Sequence, residues 1–146
     1  MSAVATKPSL TIKRRLNAPP AKVFAAWSDP KKIERWFSPP NITSTSVQAD
    51  VRVGGRYQIA AQGADGERHQ VNGVYREVVP NEKLVFTWAW HTTPERESLV
   101  TVLIRPDGDG SLLTLTHEQF FDEAARDRHN QGWTAIVGKL EEFVTA

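Results

Sequence analysis

The most constraining feature of this sequence is a segment near its end, residues 129–143, where large apolar side chains recur at helical spacing. Trp133, Ile136, Leu140 and Phe143 follow one another in steps of three, four and three, so they line one face of an α-helix. Burying four such side chains contributes about 6–12 kcal/mol before the entropy of ordering them is subtracted. Because most of the preceding chain has strand character, this face is predicted to pack on a sheet.

The helical pattern extends towards the N-terminus of this segment. Phe121, Ala125 and His129 continue the apolar face in steps of four, and Asp122 is predicted to cap the helix. Gly132 interrupts the pattern and costs a helix about 1 kcal/mol relative to alanine. We therefore expect a strand or a ligand to approach the helix closely at Gly132, with a hinge as the alternative.

Length, charge and cysteine usage narrow the class of protein. The 146 residues suit one domain, expected over residues 9–146 after a flexible segment at 1–8. The absence of cysteine excludes disulfides and thiol chemistry and is typical of a cytoplasmic protein. A net charge of +1, from 18 basic and 17 acidic residues, gives no indication of nucleic-acid binding. No stretch reaches the roughly 20 apolar residues of a membrane span.

Alternating apolar and polar residues predict about seven strands, at 10–16, 43–49, 56–61, 70–79, 83–90, 98–105 and 111–118. Two short helices are predicted after the first strand, and Pro39 and Pro40 are expected to stop the second. Strands joined by hairpins form antiparallel sheets. The sequence therefore predicts an α+β domain in which a curved antiparallel sheet surrounds the long C-terminal helix.

Several short motifs, in order along the chain, resemble one known group of proteins. They are Pro19-Pro20-Ala-Lys-Val-Phe24 with Trp27, Trp36-Phe37, Gly54-Gly55-Arg-Tyr57, Gly73-Val-Tyr-Arg-Glu77, Thr87-Trp88, Leu113-Thr-Leu-Thr-His-Glu118 and His129-Asn-Gln-Gly-Trp133. The chain resembles the START-like (SRPBCC) superfamily, and within it the domains similar to the activator of the heat-shock-protein ATPase. This resemblance implies a helix-grip fold with a cavity between sheet and helix. It leaves function open, because the superfamily includes lipid carriers, hormone receptors, polyketide cyclases and chaperone activators.

The inward positions of the strands and helices supply a candidate ligand-binding site. Ligand pockets are mostly apolar with a few placed polar groups. The residues predicted to line the pocket are Trp36, Phe37, Tyr57, Tyr75, Phe86, Trp88, Trp90, Val102, Leu115, His117, His129, Trp133 and Ile136. The alternative for most of them is simple core packing. For His117 and His129 the alternatives are contact with a ligand at a polar end of the cavity or hydrogen bonding within the core.

Three functions are compatible with these residues. The first is binding of a small hydrophobic ligand, a lipid or an aromatic metabolite, by a monomer or homodimer. The second is a protein-interaction module, as the chaperone-activator resemblance implies. The third is a cyclase- or hydrolase-like enzyme with His117, His129 or Tyr75 as acid–base groups, which is less favoured because no nucleophile–base set is visible. No cofactor is expected, and no histidine pair has metal-ligand spacing.

Overall fold

The computed structural model describes residues 7–38 and 42–145. Residues 1–6 of the predicted flexible segment, and the predicted stop at Pro39 and Pro40, lie outside these ranges. Seven strands and three helices follow in the order β1 (Leu10–Leu16), α1 (Pro20–Ser28), α2 (Pro30–Trp36), β2 (Ile42–Ala49), β3 (Arg56–Gly63), β4 (Arg68–Val79), β5 (Lys83–Trp90), β6 (Ser98–Asp107), β7 (Gly110–Glu118) and α3 (Glu123–Thr145).

The strands form one antiparallel sheet with the order β1-β7-β6-β5-β4-β3-β2. Consecutive strands from β2 to β7 are neighbours, and only β1 is placed out of sequence, with Leu10 opposite His117 and Leu16 opposite Ser111. The two short helices connect the two edge strands, β1 and β2. The sheet curls into a half-barrel around α3, which confirms the predicted helix-grip architecture.

The inward face of α3 is largely the predicted one. Trp133, Ile136 and Leu140 are buried, and Val137 and Val144 join them. Of the described residues, no helix is both long and apolar enough to cross a membrane. The long helix is therefore a packed amphipathic element whose apolar side covers the sheet.

The predicted start of this helix face at Phe121 is wrong. Gln119 has a φ of 69°, so the chain turns sharply after β7 and Phe120, rather than Phe121, enters the core. Phe121 lies before the helix and is 60% exposed. The predicted cap is present, because Asp122 Oδ1 accepts a hydrogen bond of 2.8 Å from the backbone N–H of Ala125.

The short helices bring aromatic rings to the middle of α3, where Trp27 and Phe37 contact Trp133. Asp29 caps α2 by accepting from the N–H of Lys31 at 3.0 Å, and Pro30 occupies the first turn. The rings of Trp27 and Trp36 meet edge to face at 4.6 Å, and Trp36 donates its indole N–H to the carbonyl of Ala26 at 3.0 Å. These contacts fix α1 and α2 against each other.

Candidate ligand-binding site

The interior between sheet and helices contains a small cavity of about 20 Å³, called the closed cavity because buried side chains line almost all of it. A volume of this size holds about one water molecule. Phe37, Trp88 and Trp133 approach one another here with ring centroids 5.2–6.1 Å apart. The whole lining is Trp27, Ile33, Trp36, Phe37, Val47, Ala49, Tyr57, Ile59, Tyr75, Phe86, Trp88 and Trp133. The predicted interior space is thus mostly filled by its own aromatic wall.

A larger groove lies on the other side of that wall and is open to solvent. Its volume is about 380 Å³, within the usual range of ligand pockets, roughly 300–1,000 Å³. The groove is lined by Phe37, His69, Trp88, Trp90, Arg128, His129, Gly132, Trp133 and Ile136. Phe37, Trp88 and Trp133 border both the closed cavity and the groove. Three aromatic rings therefore separate the interior from a mostly apolar, accessible site.

The structure distributes the thirteen predicted site residues over three locations. Trp36, Tyr57, Tyr75 and Phe86 line the closed cavity and not the groove. Trp90, His129 and Ile136 line the groove, together with the three shared rings. Val102, Leu115 and His117 are fully buried and line neither space.

Three groove residues were not among the predicted site residues. Arg128 belongs to the solvent face of the helical pattern, and His69 follows a turn, so neither has a sequence feature that links it to a site. Gly132 was expected to allow close approach of a strand or ligand. A Cβ placed on it meets no atom within 4 Å, so the close-approach explanation is wrong for a strand and Gly132 instead leaves the groove floor open.

His117 is held in a chain of buried hydrogen bonds. The indole N–H of Trp133 donates to His117 Nδ1 at 3.0 Å, which places the imidazole proton on Nε2. Nε2 then donates to the hydroxyl oxygen of Ser98, with 2.6 Å between the two atoms, and that hydroxyl donates to the carbonyl of Trp88 at 3.2 Å. Burial, and secondarily the neighbouring His129, lower the pKa of His117 to about 2. His117 is therefore a neutral structural group that fixes Trp133.

His129 holds a second tryptophan in the same way. Its Nδ1–H donates to the carbonyl of Ala125 at 2.7 Å, and its Nε2 accepts from the indole N–H of Trp90 at 3.0 Å. Burial lowers the pKa of His129, the hydrogen bond to Ala125 acts in the opposite direction, and the charge of Arg128 lowers the pKa further. The imidazole is neutral and both nitrogens are occupied, so His129 positions Trp90 at the groove wall.

Two of the five tryptophans carry indole N–H groups without an acceptor among the described residues. These are Trp27 and Trp88, both almost completely buried and both in the wall of the closed cavity. Buried donors are nearly always paired, and an unpaired one costs about 1–3 kcal/mol. Trp88 also lines the groove, so one of the two unpaired indole N–H groups lies in the layer between the cavity and the groove.

A side pocket adjoins the groove at the N-terminal end of α3. It has a volume of about 260 Å³ and is lined by Trp88, Trp90, Thr92, Thr93, Arg96, Ser98, Phe120, Phe121, Ala125, Arg128 and His129. Four of these residues, Trp88, Trp90, Arg128 and His129, also line the groove. Arg96 stacks on the ring of Phe121 at 3.9 Å, which explains why Phe121 remains at the surface. The groove and the side pocket therefore share one wall, and Arg96 and Arg128 give the side pocket a basic lining.

Solved structures with a similar fold come from several bacteria. A protein from Chromobacterium violaceum is 26% identical, with a TM-score of 0.83 over 94% of this chain and 97% of that one. The AHSA1 protein from Silicibacter pomeroyi is 28% identical, with a TM-score of 0.81 over 94% and 98% of the two chains. CalU16 from Micromonospora echinospora is 28% identical, with a TM-score of 0.73 over 94% and 76%.

At the level of sequence, no functionally curated protein is similar enough to this chain to be matched. A family model does match, and its description is Activator of Hsp90 ATPase homolog 1-like protein. The match covers residues 17–145, which includes both short helices, β2–β7 and α3. The chain therefore belongs to the AHSA1-like family of START-like domains.

Proposed function

We propose that this protein binds a small hydrophobic molecule in the groove between β5 and the N-terminal half of α3. The observation that carries the proposal is the groove itself, an apolar surface of ligand-pocket size whose floor is kept open by a glycine. Aromatic and aliphatic side chains line it, so an apolar ligand gains affinity by leaving water.

The hydrogen bonds around the groove support a preformed site. Trp90 and Trp133 are each held by a neutral histidine, and the carbonyl of Phe37 accepts from the hydroxyl of Thr45 at 2.8 Å. Residues whose orientation is fixed before binding lose less conformational entropy when a ligand arrives. The three sides of the groove, from α2, β5 and α3, are thus rigid in the absence of a ligand.

Occupancy of the closed cavity by a sizeable ligand is a second possibility that requires rearrangement. Its volume of about 20 Å³ accommodates no organic molecule unless Phe37, Trp88 or Trp133 moves. The unpaired indole N–H of Trp88 lies in this wall and would gain a partner if a polar ligand atom reached it. We therefore place the ligand first in the groove, with the shared rings as the wall it contacts.

The other two functions receive less support. Acid–base catalysis by His117 or His129 is disfavoured because both nitrogens of each ring are engaged in hydrogen bonds. For a protein-interaction surface, the large apolar side chains exposed in the described part of the chain are Val53, Val79 and Phe121, which lie on three separate segments. The two histidines therefore do not indicate a reaction, and the exposed apolar side chains do not form a contiguous docking face.

The proposal predicts that filling the groove at Gly132 weakens binding. Gly132→Leu places a side chain in the groove, whereas Gly138→Leu adds the same side chain to the same helix at another position with no atom within 4 Å. The probe is 3-cyclohexylpropionamide, a neutral apolar molecule that does not absorb where tryptophan does. We expect a saturable change in tryptophan emission in the wild type and in Gly138→Leu, and binding at least about tenfold weaker in Gly132→Leu.

The control variant makes the result unambiguous. Both leucine variants change helix propensity and surface hydrophobicity in the same way, and their melting curves verify that each is folded. Equal binding by the two variants, or no saturable change in the wild type at millimolar probe, would show that the groove is not the binding site.

A further inference from the structure

The charged residues around the proposed site have one sign. Arg128 lines both the groove and the side pocket, and Arg96 lines the side pocket. No aspartate or glutamate lines either space. The site is therefore an apolar surface with a cationic end, although the whole chain has a net charge of only +1.

Two nearby carboxylates are engaged elsewhere. Glu97, beside Arg96 in sequence, approaches the guanidinium of Arg76 at 3.8 Å. Asp122 caps α3 through the N–H of Ala125. Within residues 7–38 and 42–145, neither Arg96 nor Arg128 has a carboxylate within 4.0 Å, the distance of an ion pair. Both guanidinium groups thus remain available to an anion.

Arg96 and Arg128 come from different elements, the β5–β6 loop and α3, and meet at the same pocket. The stacking of Arg96 on Phe121 restrains its guanidinium at the pocket edge. The charge of Arg128 acts on the imidazole of His129 in the groove wall, which places that charge close to any ligand lying there. A planar guanidinium is well suited to a carboxylate, because it donates two parallel hydrogen bonds.

From this arrangement we infer that the ligand of the groove is an amphipathic carboxylate, whose apolar body lies against Trp88, Trp133 and Ile136 and whose carboxylate is bound by Arg128 with Arg96 beside it. The inference rests on the proposed function, since it names the chemical class of ligand for the same site. A carboxylate head exposed at the pocket edge keeps part of its hydration while the apolar body is buried, so the cost of desolvating the charge stays small.

The test compares two probes of the same shape, 3-cyclohexylpropionate and 3-cyclohexylpropionamide, by titration of the full chain at low and high ionic strength. We expect the acid to bind about fivefold more tightly than the amide at low ionic strength, the upper range for an exposed charge pair. The preference should shrink at high ionic strength because the pair is screened. In Arg128→Gln the ratio of the two affinities should fall to near one, and in Arg105→Gln it should remain.

Arg105 is an exposed arginine of β6 that lines neither the groove nor the side pocket, so its substitution removes the same charge away from the site. A second readout is independent of affinity. A bound carboxylate offsets the charge of Arg128, so the acid should raise the pKa of His129 in an NMR titration, and the amide should not.

The outcomes separate the inference from the proposal on which it rests. If neither probe binds, the proposed function fails. If the amide binds but the acid shows no preference, or if the preference survives Arg128→Gln, the carboxylate inference is overturned and the hydrophobic groove remains. If the acid binds more tightly than the amide, loses that preference in Arg128→Gln and raises the pKa of His129, both the proposed function and the carboxylate inference stand.

Discussion

At the scale of single residues, two tryptophan–histidine hydrogen bonds indicate that both histidines have a structural role in this site. Trp133 donates to the buried Nδ1 of His117, and Trp90 donates to Nε2 of His129. Sequence alone placed these residues on inward faces but left open whether the histidines contact a ligand. Hydrogen-bond partners are set by the register of distant strands, which puts His117 opposite Val100 and brings Ser98 within reach. Periodicity carries no information about such pairings.

This scale yields a prediction that compares two buried tryptophans. Trp133→Phe leaves the acceptor of His117 without a donor, whereas Trp88→Phe removes an indole N–H that has no acceptor among the described residues. The loss of ring volume is the same in both variants. We expect Trp133→Phe to lower the free energy of unfolding by about 1–3 kcal/mol more than Trp88→Phe, because an unsatisfied buried group remains. Urea denaturation at neutral pH measures the difference, and equal losses would show that the Trp133–His117 bond contributes nothing.

At the scale of elements, the sequence predicted the strands, the two short helices and most of the face of α3. Its errors came where the backbone leaves regular geometry. Because Gln119 has a positive φ, Phe120 rather than Phe121 enters the core. The spacing of the apolar residues carried no indication of that turn. Gly132 was singled out correctly as unusual, but its effect depends on what lies opposite the helix, which only the assembled fold determines.

Substitution of glycine by alanine should change the stability of the protein in opposite directions at two positions. A Cβ on Gly132 in α3 meets open space, so Gly132→Ala should stabilise the protein by up to about 1 kcal/mol through helix propensity. A Cβ on Gly73 in β4 overlaps the carbonyl oxygen of Thr87 and the ring of Tyr57, so Gly73→Ala should destabilise it by about 1–3 kcal/mol. Thermal and urea denaturation of both variants checks the signs. A destabilising Gly132→Ala would mean that the helix is closely covered there.

At the scale of the whole molecule, the half-barrel and α3 leave little empty interior. Four of the five tryptophans supply much of the wall of the interior cavity, and the cavity that the fold family suggested is reduced to about 20 Å³. An accessible, mostly apolar groove lies instead between β5, the end of α2 and the first half of α3. The sequence identified most of the apolar residues of the groove, but not Arg128 or His69. These two residues reach the groove only because of the way the half-barrel closes around the helix.

The most direct test of the central claim, that the groove binds a small hydrophobic molecule, is an NMR titration of the indole N–H signals with 3-cyclohexylpropionamide. Trp88, Trp90 and Trp133 line the groove, whereas Trp27 and Trp36 line only the closed cavity. We predict saturable shifts of the first three signals with one common affinity, and smaller shifts of the other two. The absence of saturable shifts, or shifts dominated by Trp27 and Trp36, would contradict binding in the groove.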